Sequence, residues 1–347
     1  MGIALSVTVC IAALLAAAPA EAQPAADAGA ILFCSGRQLV QIRPDASERM
    51  VLARIDMSMQ DAALSPDGGV LLWVRGTSLI RHLYIRLPGA DAVHLDVVRG
   101  RGEGFGPLRF RTGAPQLLYS ARGEIKLLDA AAGSTRVIAH GDRPQWLGNG
   151  PQFIYETGAR GEDQEIGIHL ASVENEDDEL IIPYGAAAVT SPDGRLVAYI
   201  SPAQDDDPKV YVMEVATREP KQLEASTRFD RPLALSPDGG VLVTCRADLS
   251  SPEGMVRFDL VAFRLADGST TVLDSGSEVF TEACISPDGT TVCFVARRGG
   301  ETHLYLVPIA GGEATGLSPG DSDCRSPRWY TVGAQPGLTA TSPPAQP

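Results

Sequence analysis

The nine residues ALSPDGGVL stand at 63–71 and again, unchanged, at 234–242. The same core returns as TSPDGRLVAY at 190–199 and ISPDGTTVCF at 285–294. Proline presets φ at the second position of a tight turn, aspartate hydrogen-bonds nearby backbone N–H groups, and glycine accepts positive φ. Flanked by alternating apolar residues, each copy predicts a hairpin. A catalytic reading would make nucleophiles of Ser65, Ser191, Ser236 and Ser286. None of them lies in G-x-S-x-G, and no histidine follows at a recurring spacing. The turns are therefore read as structural: Ser65-Pro66-Asp67-Gly68, Ser191-Pro192-Asp193-Gly194, Ser236-Pro237-Asp238-Gly239 and Ser286-Pro287-Asp288-Gly289.

Working outward, each turn is followed by an alternating stretch (HLYIRL 82–87, VYVMEV 210–215, RFDLVAF 257–263, HLYLVPI 303–309) and then by a third apolar patch. Two weaker copies, at 110–138 and 146–173, lack Ser-Pro-Asp but keep the turn glycine, the apolar strand and its aromatic. The landmarks Trp73, Tyr119, Tyr155, Tyr199, Cys245 and Phe294 are 36 to 49 residues apart. A period of about 45 residues with four short strands per unit predicts an all-β fold, a β-propeller of four-stranded antiparallel blades. The segment 36–52 aligns on 123–138, so the N-terminal part supplies the last three strands of a blade, while CRSPRWY (324–330) reads as a first strand. Joining them closes the ring and removes an exposed edge. The expectation is seven blades with a composite closing blade, with six as the alternative.

The 347 residues carry a net charge of −14, which argues against nucleic acid as a partner. The first 22 residues read as a signal peptide, an apolar run ending in Ala20-Glu21-Ala22, although its n-region has no Lys or Arg. Val9 precedes Cys10 where lipidation would want a small residue. Residues 23–29 are a short linker, 30–330 the propeller, and 331–347, rich in Pro, Thr and Ala, a disordered tail. The mature chain is expected in the periplasm or secreted, where disulfides persist.

The SPDG turn, the apolar strand with its aromatic and the following "LYL" strand resemble the WD-like repeats of the TolB family, over residues 30–330. They are also similar to the propeller of prolyl-oligopeptidase-type peptidases. The α/β domain that precedes the propeller in the TolB pattern, and the hydrolase domain of those peptidases, are not expected within these 347 residues. The resemblance implies a non-catalytic exported scaffold that binds a protein partner in the cell envelope.

No metal or cofactor is expected. His82, His94, His140, His169 and His303 show no metal-ligand spacing, and the D-x-[DN]-x-[DN]-G calcium loop is absent. A propeller enzyme, a lyase or hydrolase, is the alternative. Arg99, Arg101, Arg143, Arg228 and Arg231 lie on loops entering first strands, with only His140 beside them. The loops opposite the SPDG turns vary, and variable loops on a rigid ring carry recognition. The expected partner site there is acidic: Glu162, Asp163, Glu174, Glu176, Asp177, Asp178, Glu179, Asp205, Asp206 and Asp207, facing a basic envelope protein, with the chain itself a monomer. Cys34 and Cys324, on neighbouring strands of the composite blade, are a candidate disulfide stapling the ends, and Cys284 and Cys293 are expected to oppose each other.

Overall fold

The computed structural model describes residues 29–55, 57–100, 104–158, 165–201, 207–249, 256–318 and 320–330. Their strands form seven four-stranded antiparallel sheets, and no helix among the described residues is long and apolar enough to cross a membrane. The ring is a seven-bladed β-propeller. Calling the strands of a blade A to D from the axis outward, the A strands are Cys324–Tyr330, Met59–Leu64, Arg109–Phe110, Asp142–Trp146, Ala186–Thr190, Asp230–Leu235 and Val279–Ile285, for blades one to seven. Blade one is composite as expected: Cys324–Tyr330 pairs with Ala30–Ser35, followed by Gln38–Ile42 and Met50–Arg54. The expected signal peptide and most of the linker, and the expected tail, lie outside the described residues.

The B strands read as near-continuous apolar runs because both of their faces are buried. In Ala30–Ser35, Ile31 and Phe33 pack against blade seven, while Leu32 and Cys34 pack against blade two. Seven such clusters, one per blade-to-blade seam, make up the core. Each landmark aromatic lies on a B strand, and Phe294, fully buried between blades six and seven, is representative. Removing such a ring costs about 3–5 kcal/mol.

The SPDG turns are built alike. Ser65 and Val70 close the loop, Gly68 N–H returns to Ser65 O at 2.8 Å, and Gly68 takes φ 71°. The buried Ser65 hydroxyl donates to Asp67 and accepts from Val70 N–H at 2.8 Å. Ser191, Ser236 and Ser286 repeat the arrangement. The serine hydroxyl, together with a turn N–H, holds the Asp67, Asp238 and Asp288 carboxyls below the ordinary range. The serines are hairpin hubs on separate blades.

These A–B turns share one face of the ring with the C–D turns. The B–C turns and the D-to-A connections lie on the other face, hereafter the funnel face.

Candidate functional site

Six of the seven A–B ladders carry a register shift near the start of the A strand. In blade three the same place is a break, with Phe105 bridging Ala121 ahead of Arg109–Phe110. A bulge leaves a residue unpaired and re-aims its side chain. Gln60, Arg143, Ala187, Leu233, Thr281 and Ser326, which fall in these shifts, all line one axial cavity. Arg143, Ala187 and Ser326 take φ of 53°, 53° and 51°. Non-glycine residues there cost of order 1–3 kcal/mol each and concentrate at functional sites. The cavity, of about 550 Å3, is lined by all seven blades and opens toward the funnel face.

Most of the acidic groups in its wall are used to stitch neighbouring blades. Asp61 of blade two accepts from Leu108 N–H of blade three at 2.9 Å and holds Arg328 of blade one at 3.2 Å. Asp142 accepts from the Ser120 hydroxyl. Behind the lining, Glu156 accepts from the Ala188 N–H of the next blade at 2.9 Å. Glu282 accepts from the Ser326 N–H, again across a seam. Burial pushes the Glu282 carboxyl up to about 7, with the Asp61 charge adding to the effect.

Two arginines are left over. The Arg231 side chain makes no hydrogen bond or ion pair among the described residues, and Arg143 reaches Glu156 only at 3.9 Å. Burial lowers the Arg231 pKa, and the nearby Arg143 charge lowers it further. Both sit in a D-R-P segment, at 142–144 and 230–232. In each the aspartate is structural. Asp230 is buried and bonded by Thr244 at 2.9 Å and by Arg246 at 3.0 Å. The proline lies beside the bulge, where no ladder N–H is needed. That repeated D-R-P was the available sequence signal for this site.

The acidic set expected from the sequence is divided. Strand C of blade four is Gly167–Ser172 and strand D is Asp178–Pro183, so Glu174, Glu176 and Asp177 form a C–D turn. They lie on the SPDG face, opposite the placement expected. Asp178 is internal to the blade's own bonding: it accepts from the Tyr155 hydroxyl and sits 3.0 Å from His169 Nδ1. Glu179 pairs with Arg218 at 3.1 Å. Asp207 lies on the funnel face, paired with Lys209 at 2.8 Å. Glu162, Asp163, Asp205 and Asp206 lie outside the described residues, as does Arg101.

The candidate disulfide is also corrected. Cys34 pairs with Arg325 and Ser35 with Cys324, so the two cysteines stand one position out of register. Cys34 then faces blade two and Cys324 faces blade seven, and both thiols are free and buried. Cys284 and Cys293 oppose each other as expected. None of the histidines lines the funnel. His82 Nδ1 lies 3.1 Å from His94 Nε2 on blade two, His169 stacks on Tyr155, and His303 bonds the Asp321 carbonyl at 2.8 Å.

Residues 167–339 match the TolB β-propeller domain family, and the chain is a TolB-like β-propeller. TolB from Acinetobacter baumannii superposes with a TM-score of 0.56 at 15% identity, covering 87% of this chain and 66% of that one. An oligogalacturonate lyase in complex with manganese superposes at 0.56 and 16% identity, covering 78% of this chain and 82% of that one. The tricorn protease superposes at 0.57 and 12%, covering 86% and 34%. The chain thus spans just under two thirds of the Acinetobacter TolB and a third of the tricorn protease. At these identities the likeness is one of fold.

Proposed function

We propose that this chain is an exported, non-catalytic scaffold that engages a protein partner of the cell envelope through its funnel face. Export rests on the apolar N-terminal run and its A-x-A site. The observation that carries the binding reading is where large apolar side chains stay exposed. Of twelve such residues among the described ones, six sit on B–C turns or D-to-A connections (Leu79, Ile166, Tyr184, Phe229, Leu249 and Val256) and a seventh, Ile80, opens the C strand beside Leu79. They lie on the face toward which the seven-blade cavity opens, and together are called the rim below. Apolar side chains gathered on one face of a ring, around a polar centre, have the composition of a docking surface. On the opposite face, the uniform SPDG turns act as frame.

The test compares two triple variants, each checked for an unchanged melting temperature. Leu79→Ser, Tyr184→Ser and Phe229→Ser change the rim. Met50→Ser, Leu87→Ser and Val93→Ser change the other face. Tagged protein is used to retain partners from envelope extract. A defined protein held by the parent and the second variant, and lost by the rim variant, is the expected result. Loss in the second variant alone, or no retained protein at all, refutes it.

A further inference from the structure

The funnel carries a charge pattern opposite to that of the molecule around it. The chain bears a net charge of −14, yet the funnel wall presents five arginines against three carboxylates. The carboxylates already accept hydrogen bonds from the wall itself. Arg143 of blade four and Arg231 of blade six flank blade five, which offers only Ala187, Ala188 and Val189 at the same level. Two arginines thus belong to the wall on either side of a stretch of small residues. Both side chains are open to the water of the funnel, and like charges on neighbouring walls repel each other unless an anion lies between them. A guanidinium fork matches a carboxylate in plane and spacing.

We propose that Arg143 and Arg231 receive a carboxylate of an acidic, extended peptide segment that the partner inserts into the funnel. The proposal rests on the funnel-face reading and names the chemistry of that site. A peptide fits better than an acidic sugar for two reasons. The loops of the funnel face carry exposed apolar side chains, as a protein contact requires. Sugar rings stack on aromatic platforms, and the only aromatic side chain lining the funnel among the described residues, Phe105, is already packed on Tyr119 at 6.2 Å.

The test uses the full chain and a dye-labelled hexaglutamate peptide, read by fluorescence polarisation at low salt. Hexaglutamine is the neutral control and trigalacturonate the acidic-sugar competitor. Because the molecule as a whole repels polyanions, hexaglutamate is retained only by a local cationic site. The expected result is saturable binding of hexaglutamate over hexaglutamine, weakened about tenfold or more by either Arg143→Gln or Arg231→Gln, the loss typical of one charge-assisted bond. Both variants should melt no lower than the parent, since each relieves repulsion; a purely structural arginine would lower the melting point. Equal binding of the two peptides, or binding untouched by both variants, overturns the proposal. Trigalacturonate binding more tightly than hexaglutamate overturns the peptide assignment. If the rim variant above still abolishes partner retention while hexaglutamate fails, this inference falls and the funnel-face reading stands.

Discussion

Glu282 gives the sharpest quantitative handle on the funnel wall. Its carboxylate accepts from the Ser326 N–H, and burial together with the Asp61 charge lifts its pKa from the ordinary 4.5 to about 7. The Ser326 bond and the Arg325 charge pull the other way and lose. A carboxyl that holds its proton more tightly folded than unfolded contributes its full stability below pH 4.5. That contribution falls as pH rises and is gone above about 7. At 1.36 kcal/mol per pH unit the span corresponds to at most ~3 kcal/mol, and ~2 kcal/mol is the better expectation because channel water reaches part of the side chain. Glu282→Gln keeps an oxygen for the Ser326 N–H and carries no charge at any pH. Urea unfolding at about pH 5 and about pH 8 then isolates the effect, because every other titrating group is common to both proteins. The variant should match the parent near pH 5 and exceed it by ~2 kcal/mol near pH 8. Parallel pH profiles, or a variant weaker than the parent at the higher pH, would show that the charged form is well accommodated in the wall and that the burial argument is wrong.

Three further outcomes follow from the same geometry. Ser236→Ala leaves the Val241 N–H without its 2.9 Å acceptor and Asp238 without its hydroxyl donor, so unfolding free energy should drop by about 1–3 kcal/mol in denaturant melts. Deleting 324–347 removes the A strand of blade one and the Cys324 and Trp329 contacts with blade seven. It should abolish the cooperative transition, whereas deleting only 332–347 should leave the calorimetric peak in place. Peptide mapping of air-oxidised protein should find any cross-link between Cys284 and Cys293, which are directly opposed, and none between Cys34 and Cys324, which face different seams.

Blade number and ring closure were legible because both follow from repetition. A repeated turn needs the same residues each time, and a B strand buried on both faces needs an unbroken apolar run with a large side chain at its centre, as Trp73, Tyr119 and Phe294 provide. What resisted reading depends on local shifts of one residue. Blade four lacks Ser-Pro-Asp, and its strand D begins inside the acidic run, at Asp178, so chemistry that looked like one loop is half turn and half strand. The Cys34–Cys324 pairing fails for a related reason. In the segment between Arg325 and Arg328 the register slips, with Ser326 in the left-handed region, and a one-position offset sends two side chains to opposite faces.

The funnel itself belongs to this second class. Nothing in the composition of D-R-P shows that its arginine lies beside a bulge, and the segments at 142–147 and 230–235 read simply as the starts of first strands. Yet the bulged start of strand A is where a propeller is freest to vary. The seams fix the B and C strands on both faces, and the SPDG hubs fix the hairpins, but a bulged residue at the mouth of strand A lies at the cavity and outside the seam clusters. Gln60, Arg143, Ala187, Leu233, Thr281 and Ser326 differ in size, charge and polarity at this one recurring place, and each helps to line the same cavity. Comparable variation at the SPDG serines would disturb their hairpins. The repeats therefore specify the ring, and the breaks in their register, one near the start of each first strand, specify what the ring presents to a ligand.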